Sequence, residues 1–296
     1  MPSFRQNRRF FTTEQSFTGA SAANIGPRNI QKFQSWRKPS RGAILDRQNR
    51  LNRGLVGAWI MNEASGETLF DSSGFSNKGT ITNGPTWITG KFGPALSFDG
   101  VNDYVSIASK PITAGPFSVS TWSNITGSGI QAIYSQSSAN IAMYIRPDVS
   151  NTFETVVDGA NGDFSPNNSF VAGNWYNFVM TYDGANVRGY VNGKLAIGPT
   201  ARTAVYTGGT GELGRYNSGS SYTTGLIDDI RIYNRALNAD EIQALYLRPF
   251  AVFLPPNVRN YWWDLVAPVS APPVTLDMWS TFMPLGIRQQ VEIVSY

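Results

Sequence analysis

Two pairs of neighbouring carboxylates, Asp228-Asp229 and Asp240-Glu241, are the residues of this chain with the most obvious potential for acid–base chemistry. A glycosidase needs two carboxyl groups about 5 to 9 Å apart, on either side of the bond that it cleaves. Asp228 and Asp229 are adjacent in a predicted strand, so their side chains are expected to point to opposite faces. Asp240 and Glu241 belong to a predicted helix. Neither pair therefore predicts a catalytic site.

The chain has 296 residues and contains neither histidine nor cysteine. These absences exclude a Ser-His-Asp triad, a thiol nucleophile and a disulfide framework. Any bound metal would have to be held by oxygen atoms, which favours calcium or magnesium over zinc. The composition thus predicts a protein that is not an enzyme.

Several tyrosines close in sequence to two arginines have the composition of a sugar-binding surface. Lectin sites combine aromatic rings with a few precisely placed polar groups. The alternative is that tyrosines on the strands of a sandwich are half-buried parts of its core. The candidate glycan-binding residues are Tyr134, Tyr144, Arg146, Tyr206, Arg215 and Tyr216, together with Tyr222.

The segment from Gly225 to Tyr246 is predicted to form a strand followed by a helix. Alternation places Leu226, Asp228, Ile230 and Ile232 on one face of the strand, and Ile227, Asp229, Arg231 and Tyr233 on the other. Asn238 is expected to cap the helix and Glu241 to complete a capping box. One of the two adjacent aspartates is expected to meet solvent.

Short alternating segments with turn residues between them predict further strands throughout residues 54–246. Asp183-Gly184 and Asn192-Gly193 suit tight hairpins, because Gly and Asn adopt positive φ at little cost. Many short strands at close intervals favour an all-β fold made of two antiparallel sheets.

Six groups of residues, in this order, resemble the laminin-G-like branch of the concanavalin A-like lectin/glucanase jelly rolls over residues 54–246. The resemblance implies a two-sheet jelly-roll sandwich and a lectin-like function. The glucanase branch of that superfamily carries a Glu-x-Asp-x-x-Glu strand motif that this chain lacks. The matching groups are Asp71–Gly79, Ala95–Val105, Phe117–Trp122, Trp175–Asp183, Tyr190–Lys194 and Gly225–Tyr246.

In many relatives of that family a calcium ion links the Asp-x-Ser-Gly loop to the closing strand. The resemblance therefore implies a structural Ca²⁺ held by Asp71, Asn77, Asp228 and the carbonyl of Gly79. The alternative is that Asp71 begins an Asx-turn and that Asp228 accepts a hydrogen bond from a neighbouring amide.

Charge and composition divide the chain into three predicted regions. Residues 1–53 hold 11 Lys/Arg and 2 Asp/Glu and are expected to form a basic extended arm, whereas residues 54–246, the predicted jelly roll, hold 10 and 15. Residues 247–296 are rich in proline and aromatic residues and are expected to form a second extended arm. We expect the arms to bind other proteins of an assembly. The alternatives are a solvated basic tail for residues 1–53 and, for residues 247–296, packing on the outer face of the same domain. Nucleic acid is a minor alternative for the basic arm.

These features together favour a non-enzymatic structural, decoration or adsorption protein of a virion, such as a phage capsid or tail fibre. Its lectin-like domain would bind a cell-surface glycan, and its arms would anchor a homo-oligomer assembled in the host cytoplasm. No secretion signal or membrane span is expected. The alternatives are a lectin module of a polysaccharide-processing system and, third, a glycoside hydrolase or lyase.

A calcium ion at the implied site would raise the midpoint of thermal unfolding. If Asp71, Asn77, Gly79 and Asp228 hold a structural ion, chelator should lower the unfolding midpoint, because a ligand that binds only the folded state stabilises it. Thermal unfolding with and without chelator measures the effect, and an unchanged midpoint would count against the site.

Overall fold

The computed structural model describes residues 37–109, 111–136, 140–159, 162–206, 209–216 and 221–254. Within these ranges the chain is almost entirely β-structure, with a 3₁₀ turn at Arg50–Asn52 and one α-helix. In chain order the elements are β1 (Leu55–Trp59), β2 (Thr68–Leu69), β3 (Gly79–Thr82), β4 (Thr86–Thr89), β5 (Pro94–Asp99), β6 (Tyr104–Ile107), β7 (Phe117–Ile125), β8 (Gln131–Gln136), β9 (Ile141–Arg146), β10 (Thr152–Val156), β11 (Gly162–Phe164), β12 (Trp175–Tyr182), β13 (Asn186–Val191), β14 (Lys194–Ala201), β15 (Gly211–Leu213), β16 (Arg215–Tyr216), β17 (Ser221–Tyr222), β18 (Thr224–Tyr233) and α1 (Ala239–Leu247).

Two large antiparallel sheets form a jelly-roll sandwich, which confirms the predicted fold class. The first sheet has the order β14-β13-β12-β7-β18-β5-β4, with β1 also paired to β18. The second has the order β11-β10-β9-β8-β15-β6-β3-β2, and β16 and β17 form a separate small hairpin. The predicted Asn192-Gly193 turn joins β13 to β14 with both residues at positive φ, 50° and 78°.

Strand alternation explains the core between the two sheets. In β9, for example, Ile141, Met143 and Ile145 are fully buried in this core, while Tyr144 joins a separate cluster on the opposite face of the sheet. The inner core also contains Trp59, which is fully buried. Burying such a side chain fully is worth roughly 1.5–3 kcal/mol, so this core provides the main driving force for folding.

A β-bulge in β18 changes the predicted assignment of side chains to faces. Asp228 lies opposite Trp122, but the next paired residue, Arg231, lies opposite Ser120. Two residues of β18 therefore face one residue of β7, and Asp229 adopts a left-handed φ of 47°. As a result Ile230 points into the inner core, on the other face from Asp228, and the predicted alternation is wrong beyond this point.

Local capping chemistry sets the start of helix α1 as predicted. The Asn238 side chain accepts a hydrogen bond from the Glu241 backbone N–H, and the Glu241 carboxylate accepts one from the Asn238 backbone N–H. Leu237 and Ile242, on either side of the cap, are both buried in the same cluster. The helix is nine residues long, and no helix in the described part of the chain is long and apolar enough to cross a membrane.

A second apolar layer covers the outer face of the first sheet. It is formed by residues 37–53, helix α1 and residues 247–254, which pack on side chains such as Trp122 and Tyr233. Leu45 and Phe253 pair across an isolated β-bridge. We call this the outer layer.

The outer layer corrects the predicted domain boundaries. Residues 37–53 and 247–254 are part of the sandwich domain, although they were assigned to extended arms, because they bury apolar side chains on the first sheet. Asn52 also donates hydrogen bonds to the carbonyls of Asp46 and Val252, at 2.7 and 2.8 Å. The remainder of both predicted arms, residues 1–36 and 255–296, lies outside the described residues.

The outer layer predicts a large stability effect at Phe250. This ring is fully buried and packs edge-to-face on Phe92 at a centroid distance of 5.4 Å. Phe250→Ala should lower the free energy of unfolding by about 3–5 kcal/mol through lost burial and the remaining cavity. Chemical denaturation measures it. Leu247→Ala is the control, since Leu247 is 46% exposed, and equal losses in both variants would contradict the assignment.

Candidate functional site

The register of β8, β9 and β10 brings polar and aromatic side chains together on the outer face of the second sheet. Tyr144 in β9 lies opposite Ala132 in β8 and Glu154 in β10. Glu154 in turn lies opposite Phe164 in β11, which is 44% exposed. A single row across β9, β10 and β11 therefore presents a tyrosine, a carboxylate and an exposed phenylalanine.

Arg146 organises one end of this face. Its guanidinium donates hydrogen bonds to both carboxylate oxygens of Asp148, at 3.0 and 2.9 Å, and to Glu154. It also lies over the Phe164 ring, 5.6 Å from the centroid. Hydrogen bonding from Arg146 lowers the pKa of Asp148, whereas burial raises the pKa of Glu154 against the opposing effect of the same guanidinium.

Arg215 organises the other end. It makes a bidentate pair with the largely buried carboxylate of Glu212, at 2.8 and 2.6 Å, and this pairing raises the pKa of the guanidinium. Its planar group stacks over the Tyr104 ring at 3.5 Å. Arg215 also lies opposite Tyr222 in the small hairpin and hydrogen-bonds its side chain. The paired charges hold this guanidinium in one orientation.

Aromatic packing links the two ends. The Tyr216 ring packs against Tyr144 at a centroid distance of 5.7 Å, together with Ala132, Ala142 and Val156. Tyr144 is buried, and this burial raises the pKa of its phenol, whereas Tyr216 is half-buried. We call the whole surface the tyrosine–arginine face. Its members are Tyr104, Tyr144, Arg146, Glu154, Phe164, Glu212, Arg215, Tyr216 and Tyr222.

The structure brings together most of the predicted glycan-binding residues and separates two of them. Tyr134 is wrong as a surface residue: a bulge between Ala132 and Tyr134 turns it into the inner core, where its hydroxyl donates to Gln136 Oε1 at 2.7 Å. The prediction that Tyr206 joins this surface is also wrong. Its ring packs on Phe117 at the edge of the same core, and its hydroxyl donates to the Gly115 carbonyl.

Four members of the tyrosine–arginine face were missed by the sequence interpretation. Alternation could have found Glu154, because Phe153 before it points inward. Spacing could have found Glu212, which forms its ion pair with Arg215 three residues later. Tyr104 and Phe164 carry no such local signal, since strand pairing alone brings them to this face.

The residues predicted to hold calcium do not fit that role. Both carboxylate oxygens of Asp71 accept hydrogen bonds from its own loop and from β1: the donors are the backbone N–H groups of Ala58, Ser73 and Asn77 and the Ser73 hydroxyl. The Asn77 amide donates to the Val56 carbonyl at 2.7 Å. The arrangement is the Asx-turn alternative, in which the loop amides and the hydroxyl take the place of a metal.

Gly79 and Asp228 are engaged elsewhere too. A Cβ at position 79 would lie 2.8 Å from Val105, so close packing on β6 accounts for this glycine. The Asp228 side chain is fully buried under the outer layer and forms an ion pair with Lys38. Burial raises the pKa of Asp228 to about 7, and the Lys38 ammonium opposes the rise.

Asp229 is buried as well, in a bidentate pair with Arg231 at 2.9 and 3.0 Å, so the prediction that one of these aspartates meets solvent is wrong. Among the described residues, no cluster of three or more acidic, His or Cys side chains could hold a metal ion. The geometry of Asp71, Asn77, Gly79 and Asp228 therefore does not fit the predicted calcium site.

The match to a protein family agrees with this architecture. Residues 99–243 match the family model described as the concanavalin A-like lectin/glucanases superfamily, in which the two-sheet jelly roll is expected. A search of curated proteins found no match.

Solved structures with the same fold include domain 4 of AbnA, a GH43 extracellular arabinanase from Geobacillus stearothermophilus, in complex with arabinotriose. The two chains are 20% identical, with a TM-score of 0.54 over 65% of this chain and 98% of that domain. Trypanosoma rangeli sialidase in complex with sialic acid is 17% identical, with a TM-score of 0.52 over 67% of this chain.

The ligand-binding domain of Botulinum neurotoxin serotype D, in complex with N-acetylneuraminic acid, is 15% identical, with a TM-score of 0.53 over 66% of this chain. The match spans 33% of the sialidase chain and 51% of the neurotoxin domain. At these identities the likeness shows the fold.

Tyr134 lies in the core and Tyr216 on the tyrosine–arginine face, so we expect their replacement by alanine to change the free energy of unfolding by different amounts. Tyr134→Ala should cost about 3–5 kcal/mol of unfolding free energy, because it opens a cavity in the inner core. Tyr216→Ala should cost about 1 kcal/mol, mainly the ring contact with Tyr144. Urea denaturation compares them. A larger loss for Tyr216→Ala would contradict the described burial.

Proposed function

We propose that this concanavalin A-like lectin/glucanase domain binds a neutral glycan on its tyrosine–arginine face without cleaving it. The observation that supports the proposal most directly is the combination, on one sheet face, of partly exposed aromatic rings with arginine and carboxylate groups fixed by mutual ion pairs. Both arginines are held by bidentate hydrogen bonds before any ligand arrives.

The chemistry of a sugar suits such a surface. A pyranose or furanose ring has C–H groups that pack on an aromatic ring and hydroxyl groups that accept and donate hydrogen bonds. Phe164 is 44% exposed and provides ring surface, and Tyr216 and Tyr222 are half-buried with part of each ring accessible. Because the guanidiniums are already ordered, binding costs less conformational entropy than it would with mobile side chains.

The balance of charge favours a neutral ligand. Arg146 faces two carboxylates, Asp148 and Glu154, and Arg215 faces Glu212. Three carboxylates thus stand against two guanidiniums, so an anionic sugar would find both cations neutralised and one carboxylate in excess. The arabinotriose bound by the arabinanase domain is uncharged, whereas the sialic acid in the sialidase and neurotoxin complexes is anionic.

The positions of the carboxylates favour binding over hydrolysis. Glu154 on β10 and Glu212 on β15 are separated by two strands, so three strand spacings of about 4.8 Å put them about 14 Å apart, beyond the range for a glycosidase pair. Asp148 and Glu154 both bond to the Arg146 guanidinium, which lies where a substrate oxygen would have to approach. A glycoside hydrolase or lyase is therefore the less favoured alternative.

Anchoring of this domain to a virion or other assembly stays a prediction. It was assigned to the two predicted arms, of which residues 1–36 and 255–296 lie outside the described structure. The same holds for a homo-oligomer. The glycan proposal depends on neither, because every residue of the tyrosine–arginine face belongs to the sandwich domain.

A glycan array with the full chain tests the proposal, with neutral oligosaccharides, including arabino-oligosaccharides, and sialylated ones side by side. Neutral glycans should bind, and Phe164→Ala and Tyr216→Ala should each weaken binding about 10-fold, as expected for loss of about 1.4 kcal/mol of ring contact. Arg188→Ala is the matched control, because Arg188 pairs with Asp183 on the first sheet.

Three results would contradict the proposal: no binding to any neutral glycan, binding confined to sialylated glycans, or equal binding by wild type and both face variants. Release of reducing ends from a bound oligosaccharide would instead support the hydrolase alternative.

A further inference from the structure

Lys38 places its ammonium group inside the domain, between the outer layer and the first sheet. Its nitrogen contacts three oxygen atoms: the Met61 carbonyl at 3.0 Å, the Pro94 carbonyl and Oδ1 of Asp228. The Lys38 and Asp228 side chains are 4% and 0% exposed. The ammonium donates hydrogen bonds to the two carbonyls and forms an ion pair with the Asp228 carboxylate.

The oxygens around Lys38 come from three separate parts of the fold. Met61 lies two residues after the end of β1, Pro94 begins β5, and Asp228 lies at the bulge of β18. Met61 has a φ of 52°, a left-handed conformation that is uncommon for a residue with a side chain. The strained backbone turns a carbonyl towards the same point as the other two oxygens, which indicates a built cation site.

The donor set is the kind that hard metal ions prefer. Calcium and magnesium take carboxylate and backbone carbonyl oxygens, and water molecules complete their coordination. Both carboxylate oxygens of Asp228 are buried, and Oδ1 forms the ion pair with Lys38. With the Lys38 ammonium removed, two carbonyls and the Asp228 carboxylate would surround the vacated position.

We propose that Lys38 is a built-in substitute for a metal ion, which makes the native domain independent of divalent cations, and that its removal converts the same site into one for calcium. The four residues of the calcium site implied by the family resemblance do not come together around an ion. Of that set, Asp228 alone faces a cation, and the cation is an amine of the same chain.

The ion pair of Lys38 with Asp228 also holds residues 37–53 against the sandwich. Lys38 reaches β18 from a segment in which the neighbouring Pro39 carbonyl accepts a hydrogen bond from the Asn62 amide at 3.0 Å. Removing the ammonium leaves a fully buried carboxylate without its positive partner, which is strongly destabilising. A metal ion bound at the site would restore the missing charge.

Thermal unfolding of three full-length proteins tests the proposal: wild type, Lys38→Met and the control Lys194→Met, which alters an exposed lysine. Each is measured in EGTA and in millimolar calcium. The wild-type and control midpoints should be the same in both buffers. The Lys38→Met midpoint should fall by about 10 °C in EGTA and recover by several degrees in calcium, and calorimetric titration with calcium alone should show one site.

A double variant, Lys38→Met with Asp228→Asn, keeps the test decisive if the single variant folds poorly. Removing both charges should restore much of the stability, because no unpaired ion stays buried, and should abolish the calcium response.

A wild-type midpoint that falls in EGTA would overturn the proposal, since a metal would then act with Lys38 present. So would a Lys38→Met midpoint equal to that of the control, or one that calcium does not raise. A calcium response that persists in the double variant would place the ion elsewhere and equally refute the assignment. None of these outcomes bears on glycan binding, because Lys38 lies against the first sheet and the tyrosine–arginine face belongs to the second.

Discussion

Strand β18 must be buried on both of its faces, and much of the structure follows from this constraint. Its isoleucines, Ile227, Ile230 and Ile232, fill the core between the sheets, while Asp228, Asp229 and Arg231 lie on the opposite side. Charges on a buried face need partners. Asp229 and Arg231 pair with each other, and Arg231 also donates to the Pro249 carbonyl. Asp228 requires a cation from another segment, so the outer layer provides charge as well as apolar cover.

The charged groups on the outer face of the second sheet are stabilised in a different way. No segment among the described residues forms an apolar layer of comparable size over its outer face. Its charged groups pair within the face, Arg146 with Asp148 and Glu154, and Arg215 with Glu212. Partners so close in sequence keep these groups ordered without cover from another segment. The charged groups on the two outer faces of the sandwich are thus stabilised differently, on the first sheet by burial and on the second by local pairing. In the described part of the chain, the face of the second sheet leaves surface for a ligand.

Local sequence chemistry predicted the fold class, the Asn192-Gly193 turn and the capped helix, because each depends on neighbouring residues. It also collected Tyr144, Arg146, Arg215 and Tyr216, which do share one face. The wrong face assignments in β18 and at Tyr134 have one physical origin. Single inserted residues, at Asp228-Asp229 in β18 and between Ala132 and Tyr134 in β8, reverse the alternation beyond them. A bulge is set by pairing with a distant strand, so a period-two pattern does not reveal it. The same limit hid the ion pair of Lys38 with Asp228, 190 positions apart in the numbering.

The bridge between Leu45 and Phe253 brings the two ends of the described chain to one side of the domain. Lys38 and Leu254 both belong to the layer over the first sheet, where the Leu254 N–H donates to the Ile44 carbonyl at 2.8 Å. The proposed ligand surface is on the far side of the sandwich. The first sheet with its outer layer is therefore the side at which the domain can be attached. A sensor chip or a neighbouring protein joined near Lys38 or Leu254 would leave the tyrosine–arginine face exposed to solution.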